Sequence, residues 1–508
     1  MTKAWKKILT LSLTAIMFVG SLAGCGSGNK TSIDLGNPEI TVMTQAFSAN
    51  PADAESPVVA ALEEALGTKL NFNWVPTSGY DEKVTASMGS GQYPHVMLIN
   101  TVNSSVINAS RNGIFWDITE KLKDAEKFPN LAQTNPTINH NISIDGKVYG
   151  VYRAKELGRA GVTIRKDWLD NVGLSIPTTM DEFYNVLKAF KEQDPDKNGE
   201  NDTYGMIVTN YLDGPLNNIA IWMGAPNEWG VDADGNLAPD FTFKEYKDAL
   251  DFMKKCYSEG LINQDMATYP SDKWNEQFLN GKAGVIIDVA DRSRRIAQNL
   301  EGVNPEAEVD VFGYVRKDEN TEPRTFPTNG YGGYFVFPTE SIKTEEELDF
   351  VLGVMDKACG KEASDLMNYG ILDRNYTVEN GYAIKKEDAA LVKEYADLNQ
   401  FAPGVVDFGA DKLKTKYDSR NAERVEEVFE DNKKYVVSNP AEPYVSDTYS
   451  TKGPQLDAIL QEADVKYICG QISEDEWYAQ IERWKQQGGQ QIIEEINEAY
   501  KKDPSVKH

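Results

Sequence analysis

Apolar residues along this chain fall into two alternating rhythms. Short alternating or continuous apolar runs at 39–43, 70–75, 96–99, 148–152, 161–164, 284–287 and 334–337 predict strands. Between them lie segments with apolar residues every three or four positions. Val59, Leu62 and Leu66 form one such stripe. Phe183, Leu187 and Phe190 form another, behind Thr179 and Glu182 at capping-box spacing. The stretch 241–258 reads as a helix that Gly260 stops, and Ser473 with Glu476 opens a helix carrying Trp477, Ile481 and Trp484. A last helix, after Gly488 and Gly489, carries Ile492, Ile496 and Tyr500. Strands alternating with helices predict an α/β protein. The run 96–99 is wholly apolar, as in a strand covered on both faces.

One apolar run fits neither rhythm. Residues 8–19 follow Lys3, Lys6 and Lys7 and end before Leu22-Ala23-Gly24-Cys25. A basic start, a short apolar core and small residues at a break make a secretory signal, over 1–24. The run falls short of the ~20 residues that a membrane-spanning helix needs. The cysteine after Leu-Ala-Gly resembles a bacterial lipobox. That resemblance implies cleavage before Cys25 and diacylglycerol on its sulfur, two acyl chains that anchor stably to the extracytoplasmic face of a cell membrane. Small polar residues follow, so 25–37 reads as a flexible tether.

At 508 residues the chain favours two domains, and 41% hydrophobic residues suffice for substantial cores. The net charge is −27, or −30 without the three signal lysines. So acidic a surface is repelled by phosphate backbones, which argues against a nucleic-acid partner, and it keeps the chain soluble, consistent with a monomer. Beyond Cys25 only Cys256, Cys359 and Cys469 remain, widely spaced and without a zinc or redox pattern. They read as small buried hydrophobes, with one disulfide left open. Three histidines, His95, His140 and His508, argue against a His-based triad or a His-rich metal site.

Several strings then line up in order. Gly91-Gln92-Tyr93-Pro94-His95-Val96, Asp145-Gly146-Lys147-Val148-Tyr149-Gly150 and Ile164-Arg165-Lys166-Asp167-Trp168-Leu169, followed by Gly173-Leu174, Pro177-Thr178 and Asp181-Glu182-Phe183, resemble the family 1 extracellular solute-binding proteins of ABC importers. Asn368-Tyr369-Gly370, Tyr376-Thr377-Val378 and the stretch 488–500 are similar to the large LipO-type lipoproteins, related to alginate-oligosaccharide receptors. The resemblance covers nearly all of the chain after Cys25. His95 and Gln92 stand where the family has aspartates and inherit no role. The resemblance implies a non-enzymatic receptor of the two-lobe, periplasmic-binding-protein-like type II fold, with a ligand cleft between hinge-joined α/β lobes and an ABC permease as partner. By analogy the chain crosses near Arg159, Asp288 and Cys359, giving one lobe of 38–159 with 289–358 and another of 160–288 with 359–508.

Residues 194–202 carry a metal pattern. Asp194, Asp196, Asn198 and Asp202 fall at positions 1, 3, 5 and 9 of an EF-hand-type loop, with Gly199 at 6 and Glu200 at 7 offering its backbone carbonyl. Hard oxygen donors suit calcium over zinc. Position 12 is Gly205 rather than a bidentate glutamate, which leaves Thr203, Glu192 or water to complete the set. A solvated acidic turn is the alternative. The family resemblance supports one structural Ca²⁺, because the alginate-binding relatives carry such a loop. The segment 232–236 has too few ligands for a second site and reads as a hairpin turn.

Sugar receptors pair aromatic platforms with planar polar side chains, since a sugar offers an apolar C–H face and a rim of hydroxyls. Segments that read as loops hold the candidates: Gln45 beside Phe47, Tyr80, Trp222, Asn227 and Trp229 in 221–230, Trp274, Asp291 with Arg292, Tyr331 in the glycine-rich 330–334, and Arg374 with Tyr376. Trp168, Trp477 and Trp484 sit on apolar stripes and read as core, as does Trp116. The leading expectation is a lipid-anchored receptor that delivers an oligosaccharide to an ABC permease. The alternatives are a secreted glycoside hydrolase or polysaccharide lyase, or a receptor for peptides or another polar solute. Hydrolysis needs two carboxylates ~5–9.5 Å apart across one sugar.

Overall fold

The computed structural model describes residues 33–100, 102–406, 411–416 and 421–503. The signal over 1–24, Cys25 and most of the tether lie outside the described residues. The strands, in chain order, are β1 (Glu39–Ala46), β2 (Lys69–Pro76), β3 (Val96–Ile99), β4 (Gly150–Ala154), β5 (Ala160–Arg165), β6 (Tyr204–Met206), β7 (Trp229–Val231), β8 (Leu237–Pro239), β9 (Ala283–Val289), β10 (Val309–Phe312), β11 (Tyr331–Val336), β12 (Tyr376–Glu379), β13 (Tyr382–Lys385) and β14 (Lys414–Thr415). Two sheets carry the fold, β2-β1-β3-β11-β4 and β10-β5-β9-β6, with a small β12-β13-β14 sheet and the β7-β8 hairpin beside them.

Local chemistry sets the helices between these strands. Pro57–Leu66 starts where the Ser56 hydroxyl accepts from the amides of Val58 and Val59, and ends at Gly67 in the left-handed region (φ 75°). Its buried face is Val58, Val59, Leu62 and Leu66. Met180–Glu192 starts at Thr179 and buries Phe183, Leu187 and Phe190. The 232–236 segment is the expected hairpin turn, with the Asp232 carboxylate accepting from the amides of Asp234 and Asn236.

Strand direction decides where a ligand can sit. In the first sheet β1 pairs in parallel with β2 and β3, and β11 runs antiparallel to β3 and β4. The carboxyl ends of β1, β3 and β4 and the amino end of β11 therefore share one edge. In the second sheet β5 is antiparallel to β9 and β10, and β6 is parallel to β9. The amino end of β5 and the carboxyl ends of β6, β9 and β10 thus share an edge. Only 155–159 separates β4 from β5. Five residues reach at most about 17 Å, so the two edges face each other across a cleft.

Two crossings differ from the expected ones. β10 pairs with β5, so 289–312 stays with the second sheet, and the chain returns between Phe312 and Tyr331. Helices Glu345–Ala358 and Lys361–Tyr369 both turn apolar faces onto the first core, which also takes up Cys359, Leu398, Phe401 and Val405. The third crossing therefore lies beyond Val405. There Ala422–Asn432 packs Val425, Val428 and Phe429 on Ala290 and Val311. Asn432 ties the crossings together. It is fully buried; its side-chain amide donates to the carbonyls of Gly158 (2.8 Å) and Ala160 (2.7 Å), and its own carbonyl accepts from Thr325 (3.0 Å). The three later cysteines are free, Cys256 and Cys359 buried and Cys469 half-buried.

Candidate functional site

The first-sheet wall of the cleft is made of amides and cations. Gln45, near the end of β1, donates to the Asn100 side chain just past β3, and Asn100 donates to Asp81 (3.0 Å). Near the end of β4, Arg153 donates to Gln400 Oε1 (2.6 Å) and the Gly332 carbonyl (3.2 Å). Gln400 is held in turn by Thr44, whose hydroxyl donates to its carbonyl (3.0 Å). Lys155, two residues on, is exposed, and its backbone donates to Gly330 (2.9 Å). Tyr331 is half-buried, edge-on to Tyr334, and burial pushes its hydroxyl up to about 12.

The second-sheet wall is made of clamped pairs and aromatics. Arg159 grips Asp291 through two 2.9 Å bonds. Arg292 donates to Asp288 (2.6 Å) and Asn275 (2.8 Å) and lies 4.6 Å over the Trp274 ring. Tyr211 stands edge-on to Trp274 (6.1 Å) and is 47% exposed. Asp213 follows at the start of helix Asp213–Met223, where burial raises its pKa. Tyr449, 49% exposed, donates to Asp457 (2.8 Å).

A third group bridges the walls. Asn439 donates to Glu228 (3.0 Å) and Glu442 (3.3 Å), and Asn329 donates to Glu442 (2.9 Å). Burial, with repulsion from Glu442 and Asp457, pushes the Glu228 carboxyl up to about 7. Yet Glu228 is open to water. A group that water reaches while protein surrounds it on most sides lines a crevice. Carboxylates and amides fixed in place accept hydroxyl protons in a defined pattern, and the exposed tyrosine faces offer flat apolar area.

Several expected ligand residues are structural instead. The Tyr80 hydroxyl is buried against the carbonyls of Met43 and Leu98. Trp222 is 1% exposed in the last turn of a helix, edge-on to Phe183. Trp229 packs into the cluster of Trp484 and the C-terminal helix. Trp274 is 2% exposed and underlies Tyr211 and Arg292 rather than facing the cleft. Tyr376 pairs with Tyr369 in the core of the small sheet. Arg374, beside that sheet, holds Glu394. Asn227 is buried at the mouth of the hairpin, next to Glu228. Trp168, Trp477 and Trp484 are core as expected, and Trp116 is half-buried against the first core. Sequence reasoning reaches Arg153 only as part of a basic patch with Arg159 and Arg374 that would suit a polyanionic ligand, and it misses Tyr211, Asp213, Glu228, Tyr449, Asp457 and Lys155. For Lys155, just past β4, and for Tyr211 and Asp213, in the segment after β6, position beyond a strand end was the available signal; Glu228, before β7, and Tyr449 and Asp457, inside the helix Asp447–Ile468, carried none.

The acidic loop closes on itself. Asp194 accepts from the amides of Asn198 and Gly199 (both 3.0 Å), and Asn198 donates to Asp196 (2.9 Å) and Asp202 (3.3 Å). The Glu200 amide donates to Asn198 (2.7 Å), and Lys282 pairs with Asp202. Asp196 Oδ1 is buried without a partner, and burial followed by the nearby Asp194 raises its pKa. A side chain at Gly205 would collide with the Leu187 backbone (2.7 Å), so position 12 is closed to a glutamate. Among the described residues, no three His, Cys, Asp or Glu side chains converge as a metal set.

The model of the bacterial extracellular solute-binding proteins matches residues 48–358. The chain belongs to that family. Its work is therefore binding and not catalysis. It is 40% identical to Lipoprotein LipO of Bacillus subtilis over 97% of this chain and 98% of that protein. It is 34% identical to the polygalacturonan/rhamnogalacturonan-binding protein YtcQ of the same organism over 99% of each. Among solved structures, an extracellular solute-binding protein from Bifidobacterium longum subsp. infantis superposes with a TM-score of 0.68 at 21% identity, over 92% of this chain and 98% of that one. Alginate-binding protein AlgQ2, solved without calcium ion, gives 0.63 at 18% identity over 91% and 98%. These likenesses show the two-lobe α/β solute-binding fold. No helix among the described residues is long and apolar enough to cross a membrane.

Proposed function

We propose that this protein is a lipid-anchored receptor that captures an oligosaccharide between its sheet edges and delivers it to an ABC importer's permease. The observation that carries the reading is the cleft itself. Exposed Tyr211 and Tyr449 stand among fixed carboxylates and amides from both sheets, a match to a ligand with apolar faces and many hydroxyls. The polysaccharide-binding name of the relative YtcQ supports the same ligand class. The lipobox resemblance at Cys25 and the name of the relative LipO support the anchor. The unpartnered Asp196 oxygen and the amide-lined turn support one Ca²⁺ held by Asp194, Asp196, Asn198, Asp202 and the Glu200 carbonyl, a brace for the loop after Met180–Glu192. Lobe closure about 155–159 and Asn432 completes the cycle.

A thermal-shift screen against neutral and acidic oligosaccharides tests the reading. A sugar that raises the melting temperature and is recovered uncut supports it. Stabilisation by peptides and by no sugar contradicts it.

A further inference from the structure

The arginines of the two cleft walls are treated differently. Across the cleft, Arg159 and Arg292 each hold an aspartate at 2.5–2.9 Å. On the first-sheet wall, Arg153 meets, among the described residues, only neutral oxygens, those of Gln400 and Gly332. Its Nε is buried with no partner. Lys155 also has no carboxylate within ion-pair distance among the described residues, and Asp291, the acid beside it, is already gripped by Arg159. The chain carries 79 acidic residues against 52 basic ones, so the lack of an acid here does not follow from supply.

Burying a guanidinium without a counter-charge is costly. The cost shows in Arg153, held down to about 10 by burial. Position matters as well. Residues 153 and 155 are two apart on an extended chain and so point the same way, at the end of β4 where the chain leaves for the second sheet. The site is braced: Gln400 is tied to Thr44, and the Lys155 backbone to Gly330. A braced cationic pair whose one nearby acid is already held by another arginine, facing a ligand cleft, suits an anion.

We infer that Arg153 and Lys155 form a carboxylate subsite, so that the bound oligosaccharide carries a uronate-type acid group at the first-sheet end of the cleft. This deepens the oligosaccharide reading and rests on it. The second wall, with Asp213 and Asp457, repels the same group and so fixes the direction in which the chain of sugars lies.

Calorimetry on the mature protein decides it. The probes are galacturonate and mannuronate trimers, the methyl ester of each, and neutral galactose and mannose trimers. The expected result is at least one acidic trimer bound about tenfold or more tightly than its ester, a preference that shrinks with added salt. Lys155→Met, at an exposed position, folds normally and removes most of that preference; Arg153→Gln is measured beside it. Esters or neutral trimers bound as tightly as the acids, or no acid bound, overturn the subsite. Neutral trimers binding alone leaves the oligosaccharide reading standing. Peptides binding in place of every sugar removes both.

Discussion

The two walls of the cleft use the same residue types to opposite ends. On the second-sheet wall, charge is spent internally: Arg292 is locked between Asp288, Asn275 and the Trp274 ring. Such a residue is scaffold, and it holds Trp274 in place beneath Tyr211. On the first-sheet wall, Arg153 and Lys155 have no acid to hold among the described residues. A charge matters to a ligand when the protein leaves it unanswered, so residue identity alone says little.

The largest expected effect breaks the scaffold side. Asp288→Asn leaves Arg292, only 15% exposed, without its anion. Urea unfolding is expected to show a loss of about 3 kcal/mol, whereas Lys155→Met shifts stability by less than about 0.5 kcal/mol. Equal losses would erase the distinction between the walls. Next in size is the acidic loop 194–202, where one Ca²⁺ is proposed. Calcium at a hundredfold excess over its Kd is expected to add about 2.7 kcal/mol, and chelator followed by a melting scan measures it. Asp196→Asn abolishes that response.

The second lobe should also carry a pH signature. Asp464, on the helix that presents Tyr449 and Asp457, is buried, and burial raises its carboxyl to about 7 despite hydrogen bonds from Trp477 and Tyr246. A carboxyl raised in the folded state stabilises fully below its unfolded pKa, near 3.8, and that contribution is lost as pH rises through about 7. Stability is therefore expected to fall by about 1–2 kcal/mol between pH 5 and 8, and Asp464→Asn flattens the slope. The smallest effect is on binding. Tyr211→Ala removes an exposed platform, and calorimetry should read roughly a tenfold weaker ligand, about 1.4 kcal/mol, with the melting temperature little changed.

How much was legible in the sequence follows from how local each feature is. The strand runs at 39–43 and 96–99 and the Phe183, Leu187, Phe190 stripe depend on neighbours within a few residues, and β1, β3 and Met180–Glu192 form where the pattern puts them. The metal pattern at 194–202 is likewise contiguous. The cleft is not. Tyr211, Glu228, Tyr449 and Arg153 come from elements far apart in the chain, and which of them faces a ligand depends on how two sheet edges are placed. The tryptophans drew attention because they sat among turn residues, but Trp222 closes a helix and Trp274 opens one, and both rings are buried. A large flat side chain is as useful to a core as to a sugar, and only the third dimension separates the uses. The crossings were misplaced for a related reason. β10 is four residues long and pairs through its backbone with β5, a partner some 145 residues away.

The most direct measurement is a crystal structure of the mature protein with the sugar that the screen selects. The account predicts an intact oligosaccharide between the walls, stacked on Tyr211 or Tyr449 and reaching Arg153 and Lys155 at its other end. A ligand seated outside the cleft, or a sugar cleaved in place, would contradict it.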